Sequence, residues 1–194
     1  TLTTLTLPTG VTVASGRTPR FAVFNRYAVI VNSPSRPITI DADGTVRPLT
    51  PNTPRNVPVV TDIAGGSLTG TYSGIKQTFL IRDEDGNIIA ESDYSVGSGS
   101  ATLASDYLKV TNLDLSGDTI TSSRLYRPTT NGTTLFPWVE IDGNTQTSVQ
   151  DDLSDTGLSL IAAPTLGAAP DLTLIAEWRG RLWGVSRNEV DYLR

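Results

Sequence analysis

Two short acidic segments have the residue types and spacing with which calcium-binding loops begin. They are Asp41-Ala42-Asp43-Gly44 and Asp83-Glu84-Asp85-Gly86-Asn87. An EF-hand loop needs acidic oxygens at positions 1, 3 and 5, Gly at 6 and Glu at 12. Counted from Asp83, Gly arrives at position 4 and Tyr94 stands at position 12, so the motif fails. Asp and Gly are also what tight hairpin turns require. We therefore favour a turn at each segment, with an irregular calcium site as the alternative.

Asp151, Asp152 and Asp155 form a third acidic group, which we expect to cap a turn rather than to bind a metal. A glycosidase would need two carboxyls about 5 to 10 Å apart in a cleft, but most acidic residues here lie in predicted turns. The chain has no His and no Cys, which removes the commonest general base, Ser-His-Asp and Cys-His systems, and zinc sites built from those ligands. We predict that the protein is not an enzyme and has no catalytic, cofactor-binding or metal-binding residues.

Several aromatic side chains could form a flat platform that stacks on sugar rings or anchors an interface. In β-sandwiches, however, a strand Trp lies more often in the core, because apolar residues are chiefly inside. We favour a core or subunit-interface role over a ligand site. The residues concerned are Trp138, Trp178, Trp183, Tyr107 and Tyr126.

The overall charge and composition exclude several classes of protein. The net charge is −5, and such a mildly acidic chain lacks the basic footprint of a nucleic-acid-binding protein. No apolar run approaches the roughly 20 residues that span a bilayer, so we expect no membrane anchor. The absence of Cys fits folding in the cytoplasm. The chain has no Met, so we expect a processed N-terminus or a piece of a longer polypeptide.

The elements that must position these residues are predicted to be short antiparallel strands. The 17 Gly and 12 Pro, with abundant Thr and Val, favour an all-β, turn-rich fold. Residues 95–105 are predicted to be an exposed loop with a weak strand at 101–103, and only 153–162 could form a turn or two of helix. Residues 1–20 are expected to form two short strands or an arm. Hairpins are predicted at 21–32, 37–49 and 172–186, with further strands at 71–82, 88–93, 107–113, 124–127, 136–141, 147–151 and 188–193.

Two Pro-rich stretches, 48–58 and 164–170, are predicted to be linkers. They divide the chain into a β-rich segment at 1–54 of propeller-blade size, an antiparallel sandwich at 55–168, and the first strands of a flanking body at 169–194. We expect the segments 21–49 and 172–193 to pair with one another outside the sandwich. The predicted sandwich core consists of Ile75, Phe79, Ile81, Leu108, Val110, Leu125, Val139 and Ile141.

The order of motifs in the sandwich resembles the fibronectin type III-like modules of bacteriophage tail and virion proteins. The motifs are Thr71–Gly86, RLYR at 124–127, FPWVEI at 136–141 and TSVQD at 147–151, where Val149 replaces the usual aromatic residue. The segments Tyr27–Leu49 and Trp178–Gly184 resemble phage tail proteins in which such a sandwich is inserted into a β-propeller-like body. Similar subunits form the nozzle, a ring at the distal end of short-tailed phages.

This resemblance implies a structural component of a bacteriophage virion, a tail subunit of a nozzle or tail-tube ring. We expect it to fold in the host cytoplasm, to reside in the virion tail, and to bind copies of itself and other tail proteins. One surface expected to meet partners is the strand at 188–193, since the sequence contains no further strand to pair with it. The others are the loops 83–87, 95–105 and 129–134 of the sandwich, with Trp138 or Tyr126 as an anchor if either is exposed. The alternatives are an adhesion or carbohydrate-binding sandwich of a surface or secreted protein and, less favoured, a domain of a polysaccharide-degrading enzyme.

Overall fold

The chain is an all-β protein built from antiparallel sheets, as the sequence predicts. The computed structural model describes residues 4–8, 10–24, 26–82, 85–115, 121–143, 145–159, 161–167, 170–186 and 190–192, the last three by their backbone. Within these residues no helix is long or apolar enough to cross a membrane. The only helical element among them is the 3-10 turn Asp155–Gly157, where the sequence allowed a turn or two of helix.

The described residues form fourteen strands. They are β1 (Arg20–Phe24), β2 (Tyr27–Val31), β3 (Ile38–Ile40), β4 (Val46–Pro48), β5 (Val59–Ser73), β6 (Lys76–Arg82), β7 (Ile88–Glu91), β8 (Ser100–Thr111), β9 (Ser122–Pro128), β10 (Leu135–Asp142), β11 (Val149–Asp151), β12 (Leu172–Trp178), β13 (Arg181–Ser186) and β14 (Val190–Tyr192).

The strands belong to two compact units. One, here called the flanking unit, comprises Thr1–Thr50, Gly117–Thr119 and Ala168–Arg194. The other, called the sandwich unit, comprises Pro51–Ser116 and Ile120–Gly167. The flanking unit is thus drawn from the chain before and after the sandwich unit.

In the flanking unit, β1 to β4 form an antiparallel meander with the size of one propeller blade. The turn between β1 and β2 includes Arg26, whose φ is 71°, and Phe24 pairs directly with Tyr27. Gly44, with φ of 89°, closes the turn between β3 and β4. These two hairpins are the ones the sequence predicts.

The strands β12, β13 and β14 form a second sheet in the flanking unit. The turn between β12 and β13 consists of Arg179 and Gly180, which both have positive φ, 52° and 71°. Two successive left-handed residues are the signature of a type I′ turn, which matches the twist of the strands it joins. The predicted hairpin across Arg179-Gly180 is therefore confirmed.

The two sheets of the flanking unit share one apolar core. Its buried members are Ala22 of β1, Val29 and Val31 of β2, Leu172 of β12 and Leu182 of β13. The backbone N–H of Asn32 also donates to the carbonyl oxygen of Leu172 at 3.1 Å. The two segments thus come together by a shared core and this backbone hydrogen bond, whereas the described strands form two separate ladders rather than one.

The sandwich unit has a four-stranded sheet in the order β10-β9-β6-β7 and a three-stranded sheet in the order β11-β8-β5. Both contribute to one core, which holds Val60, Leu68 and Tyr72 of β5, Leu103, Leu108 and Val110 of β8, and Leu125 of β9. Seven of the eight predicted core residues are buried, and the eighth, Val139, is half-buried against this core. The predicted inward register is confirmed.

Two sequence predictions about the strands are wrong. The segment 71–82 is not one strand, because Thr71–Ser73 completes β5 and Gly74, with φ of 67°, turns the chain into β6. Residues 95–105 are not an exposed loop, because residues 100–105 belong to the twelve-residue strand β8, in which Leu103 is buried; the weak strand predicted at 101–103 is part of β8. Long antiparallel pairing with β5 overrides the low strand propensity of Ser and Ala there.

Residues 92–98, here called the serine segment, run alongside β6 beyond the end of β7. Ser92, Ser95 and Ser98 are buried, and each accepts a hydrogen bond through Oγ from a backbone N–H of β6 or of the residue before it. The backbone N–H of each serine donates in return to the carbonyl of the same residue. Every three residues of the serine segment therefore lie beside two residues of β6. The hydrogen bonds between them cover the edge of β6.

Residues 11–14 form an arm rather than two strands. Val13 and Pro34 make an isolated bridge, and the backbone of Ala14 donates to Ser33 at 2.8 Å. Ser35 donates in turn to Thr12 at 2.8 Å. Of the two alternatives that the sequence left open for residues 1–20, the described part fits the arm with a turn at Gly10, whose φ is 79°.

Candidate interaction surface

The acidic segment Asp41–Gly44 is a hairpin turn whose carboxylates are engaged within the turn. Asp41 accepts from the backbone of Thr45 at 2.8 Å and from the guanidinium of Arg47 at 2.6 Å. Asp43 accepts from the same Thr45 N–H at 2.8 Å. Hydrogen bonding with Asp41 and then with Thr45 lowers the pKa of Asp43 to about 2. These contacts stabilise the turn that leads into β4, in agreement with the turn favoured from the sequence.

The second acidic segment lies only partly within the described residues, because Asp83 and Glu84 fall outside them. Gly86 has φ of 81°, and its carbonyl accepts a hydrogen bond from the guanidinium of Arg82. Over the described part of the chain, no group of three or more acidic side chains lies close enough together to hold a metal ion.

Asp151, Asp152 and Asp155 accept hydrogen bonds from four donors in different parts of the chain. Asp151 accepts from the indole Nε1–H of Trp138, and Asp152 accepts from the backbone N–H of Ser67 at 2.6 Å. Asp155 accepts from Arg127 and from the backbone of Thr130. These carboxylates therefore fasten the end of the sandwich to strands and loops far away in sequence. That role is broader than the local turn cap expected from the sequence.

Arg127 is the main feature that sequence reasoning missed. Its side chain is fully buried on β9, where its guanidinium lies 5.2 Å from the ring centroid of Tyr72 and 5.8 Å from that of Trp138. It donates to Asp155 at 2.9 Å and to the carbonyl of Leu153. A signal was available, because Arg127 follows Leu125 by two residues and strand side chains alternate. Through these contacts Arg127 holds residues 153–155, which follow the last strand of the sandwich, against the buried side of β9.

The pKa of Asp155 reflects this arrangement. Partial burial acts to raise the pKa of the Asp155 carboxyl, but the hydrogen bonds from Arg127 and Thr130 outweigh that effect. The pKa therefore lies below its ordinary value. The carboxylate remains ionised and paired at neutral pH, which suits a structural ion pair rather than a general acid.

The outer face of the four-stranded sheet carries a network of ion pairs. Glu140 accepts from both Arg82 and Arg124, and Arg124 also reaches Glu91 at 3.4 Å. The hydroxyl of Tyr126 donates to Glu91 at 2.7 Å. Partial burial opposes ionisation of Glu140, yet its two arginines keep its pKa below the ordinary value. Each charge faces an opposite charge, so this face is a satisfied structural network.

The aromatic residues named in the sequence analysis are divided between the two units. Tyr126 is fully buried, with its ring 5.1 Å from that of Tyr94, and Trp138 is half-buried against the sandwich core. Trp178 and Trp183 belong to the flanking unit, where their rings lie 6.0 Å apart. Tyr126 is not an exposed anchor, because it is buried. The indole N–H of Trp138 donates to Asp151, so it is already engaged within the sandwich.

Of the three predicted contact loops, 83–87 lies only partly within the described residues, and the other two have different structures. Residues 95–105 are the serine segment and part of β8, so they do not form a free loop. Residues 129–134 do form a loop, held at its base by the bond from Thr130 to Asp155 and exposed at Asn131, Thr133 and Thr134. This loop is the described polar surface closest to the prediction.

An exposed apolar surface lies on the β12–β13 hairpin. Cross-strand pairing places Leu174 beside Val185 and Ala176 beside Trp183, with Trp178 next along the same side. These five side chains are here called the hairpin face. Leu174 is 50% exposed and Trp178 is 56% exposed. The opposite side of the same hairpin supplies Leu172, Ile175 and Leu182 to the shared core.

Among the described residues, the loop 129–134 and the hairpin face are exposed surfaces that a partner could contact. Comparison with protein-family models, with curated proteins and with solved structures finds no match for the chain.

Proposed function

We propose that the protein is a structural subunit of a bacteriophage virion, acting in the tail as one member of a nozzle or tail-tube ring. The observation that supports the proposal is that the flanking unit is built from two separate parts of the chain, one before and one after the sandwich. Strands from before and after the sandwich share one buried core, built from Ala22, Val29, Val31, Leu172 and Leu182. A sandwich inserted into another β-body is the arrangement that the resemblance to phage tail proteins implies.

The charged side chains of the sandwich support a structural, non-enzymatic role. The arginines at 82, 124 and 127 pair with Glu140, Glu91 and Asp155, and the carboxylates of Asp151 and Asp152 accept from Trp138 and Ser67. Groups engaged in this way stabilise a fold and are not poised to transfer protons. The function that follows is mechanical: the subunit contributes a firmly built module to an assembly with copies of itself and other tail proteins.

A nonsense mutation in the encoding phage gene tests this proposal. In a nonsuppressing host we expect capsids that lack a finished tail and do not infect, and we expect suppression to restore infectivity. The chain itself should then be found in the restored particles by antibody labelling at the tail. Infectious particles of normal appearance made without the protein would contradict the proposal.

The carbohydrate-binding alternative has one observation in its favour. Trp178 is exposed beside Trp183, and paired indole rings can stack on sugar faces. A glycan array probed with the full chain tests it, with the Trp178→Ala variant as control. Binding that is lost in the variant would favour the alternative, and an array without signal would remove it.

A further inference from the structure

The β12–β13 hairpin is apolar on both sides, although the described residues of the flanking unit cover only one of them. Its inner side contacts the shared core through Leu172, Ile175 and Leu182. Its outer side is the hairpin face defined above, where Leu174 and Trp178 remain half exposed. Strands that are apolar on both sides are characteristic of sheets covered on both sides. Clustered exposed apolar side chains are the usual mark of a protein interface.

The surroundings of the hairpin face have the chemistry of an interface centre. The guanidinium of Arg179 lies 4.5 Å from the ring centroid of Trp178, and Arg181 is exposed directly across from that tryptophan. Trp and Arg are the residues most enriched at energetic centres of protein interfaces. An exposed aromatic centre with basic neighbours favours an acidic partner surface.

The charge of the chain is divided unequally between its two units. The flanking unit has nine arginines and seven acidic residues, a net charge of +2. The sandwich unit has six basic and thirteen acidic residues, a net charge of −7, with exposed carboxylates at Asp62 and Asp142. Two hairpin faces meeting each other would bring arginines together, which electrostatic repulsion disfavours. A hairpin face meeting a sandwich unit would bring opposite charges together.

We propose that the hairpin face of one copy docks on the acidic sandwich unit of a second copy of this chain. The inference rests on the proposed function in taking a second copy as the partner. The contact is heterologous, since two different surfaces meet. A heterologous contact repeats from copy to copy and produces a ring when its rotation closes. The proposal therefore adds to the ring hypothesis the surface by which neighbouring subunits join.

The first test is sedimentation velocity of the full chain over a range of concentrations. We expect association that weakens at high salt, because screening reduces the attraction between the basic rim and the acidic sandwich. The variants Leu174→Asp and Trp178→Glu should each weaken association by at least about tenfold, since each places a carboxylate in the centre of the contact. Val13→Asp is the matched control, because Val13 is 62% exposed in the flanking unit but lies on the arm, outside the hairpin face.

The second test distinguishes a heterologous contact from a symmetric one. A labelled Trp178→Glu chain keeps its sandwich unit intact, so it should bind wild-type protein with the wild-type dissociation constant while failing to bind itself. A double variant, Arg179→Glu with Arg181→Glu, should associate weakly at low salt and more strongly as salt rises, because salt screens the repulsion between the new carboxylates and the acidic sandwich. Thermal unfolding of each variant confirms that the fold is retained.

Several outcomes would overturn the inference. They are wild-type association in the Leu174 and Trp178 variants, equal loss in the Val13 control, failure of the labelled chain to bind wild type, and a wild-type chain that stays monomeric throughout. None of these removes the proposed function, which is judged by whether particles need and contain the protein. Failure of the docking surface and failure of the virion role are therefore separable.

Discussion

Ser95 and Gln77 exchange two hydrogen bonds, one of which uses a side chain in place of a backbone group. The backbone N–H of Ser95 donates to the carbonyl of Gln77 at 2.9 Å, and the backbone N–H of Gln77 donates to Oγ of Ser95 at 2.9 Å. The same exchange joins Ser92 to Phe79 and Ser98 to Ile75. By this device the serine segment satisfies the buried edge of β6 without being a regular strand.

The Ser95→Ala substitution should lower the free energy of unfolding by about 1 to 3 kcal/mol, because it leaves the buried N–H of Gln77 without an acceptor. Urea titration followed by tryptophan fluorescence measures the effect. Ser100→Ala, at an exposed position of β8, is the matched control and should change stability by less than about 0.5 kcal/mol. Equal stability of the two variants would show that the Ser95 hydroxyl is not needed there.

The sequence predicted the hairpins because their turn chemistry is local. Asp-Gly before β4 and Arg-Gly before β13 need no knowledge of the rest of the chain. The serine segment was missed because a small polar residue at every third position matches neither the period of a strand nor that of a helix. Its structure depends on the partner strand, which local sequence does not specify.

Arg127 shows why side-chain burial was harder to predict than strand position. The strand β9 was correctly predicted, and so was the inward direction of Leu125, yet Arg is seldom fully buried. Its burial depends on Tyr72, Trp138 and Asp155, which come from separate parts of the chain. Contacts of that kind are set by tertiary structure alone.

Replacing Arg127 by Ala should destabilise the sandwich unit by about 2 to 4 kcal/mol, from lost hydrogen bonds and lost packing. The substitution removes the fully buried partner of an ion pair whose carboxylate is partly exposed, and with it the guanidinium near two aromatic rings. Arg55→Ala, at an exposed arginine of the same unit, is the control. Denaturant unfolding measures both variants. A loss no larger than that of the control would mean that the Arg127 contacts contribute little to stability.

Stability should fall in acid through protonation of Asp155. Since its folded-state pKa is lowered, the stabilisation is complete above the ordinary carboxyl pKa, near 3.8, and is lost as pH falls through the folded value. The Asp155→Asn variant should therefore be less stable than wild type at neutral pH, and the difference should shrink below the ordinary pKa. Unfolding midpoints measured from pH 7 to pH 2 test this. A difference that is constant with pH would contradict it.

Truncation of buried side chains of the four-stranded sheet should lower the stability of the sandwich unit. Phe79→Ala and Ile141→Ala should each destabilise by about 3 kcal/mol, from lost transfer energy and a residual cavity. Val96→Ala serves as control because Val96 is 68% exposed. Thermal or urea unfolding gives the three values. Near-neutral effects at Phe79 and Ile141 would be incompatible with the burial described above.

Removal of the sandwich should leave the flanking unit able to fold. Because its core is built from residues before and after the sandwich, replacing residues 59–163 by a short Gly-Ser bridge retains that core. We expect cooperative unfolding of the shortened chain, measured by circular dichroism, together with impaired assembly into particles. Normal infectious particles made with the shortened chain would show that the sandwich is dispensable.

The central claim, that the protein is a structural subunit of a virion tail, is tested most directly by the composition of purified particles. Particles banded in a density gradient are digested, and the copies of this chain per particle are measured by quantitative mass spectrometry against the major capsid protein. The account predicts a fixed number of several copies per particle, as a ring requires. Absence of the chain from intact, infectious particles would contradict it.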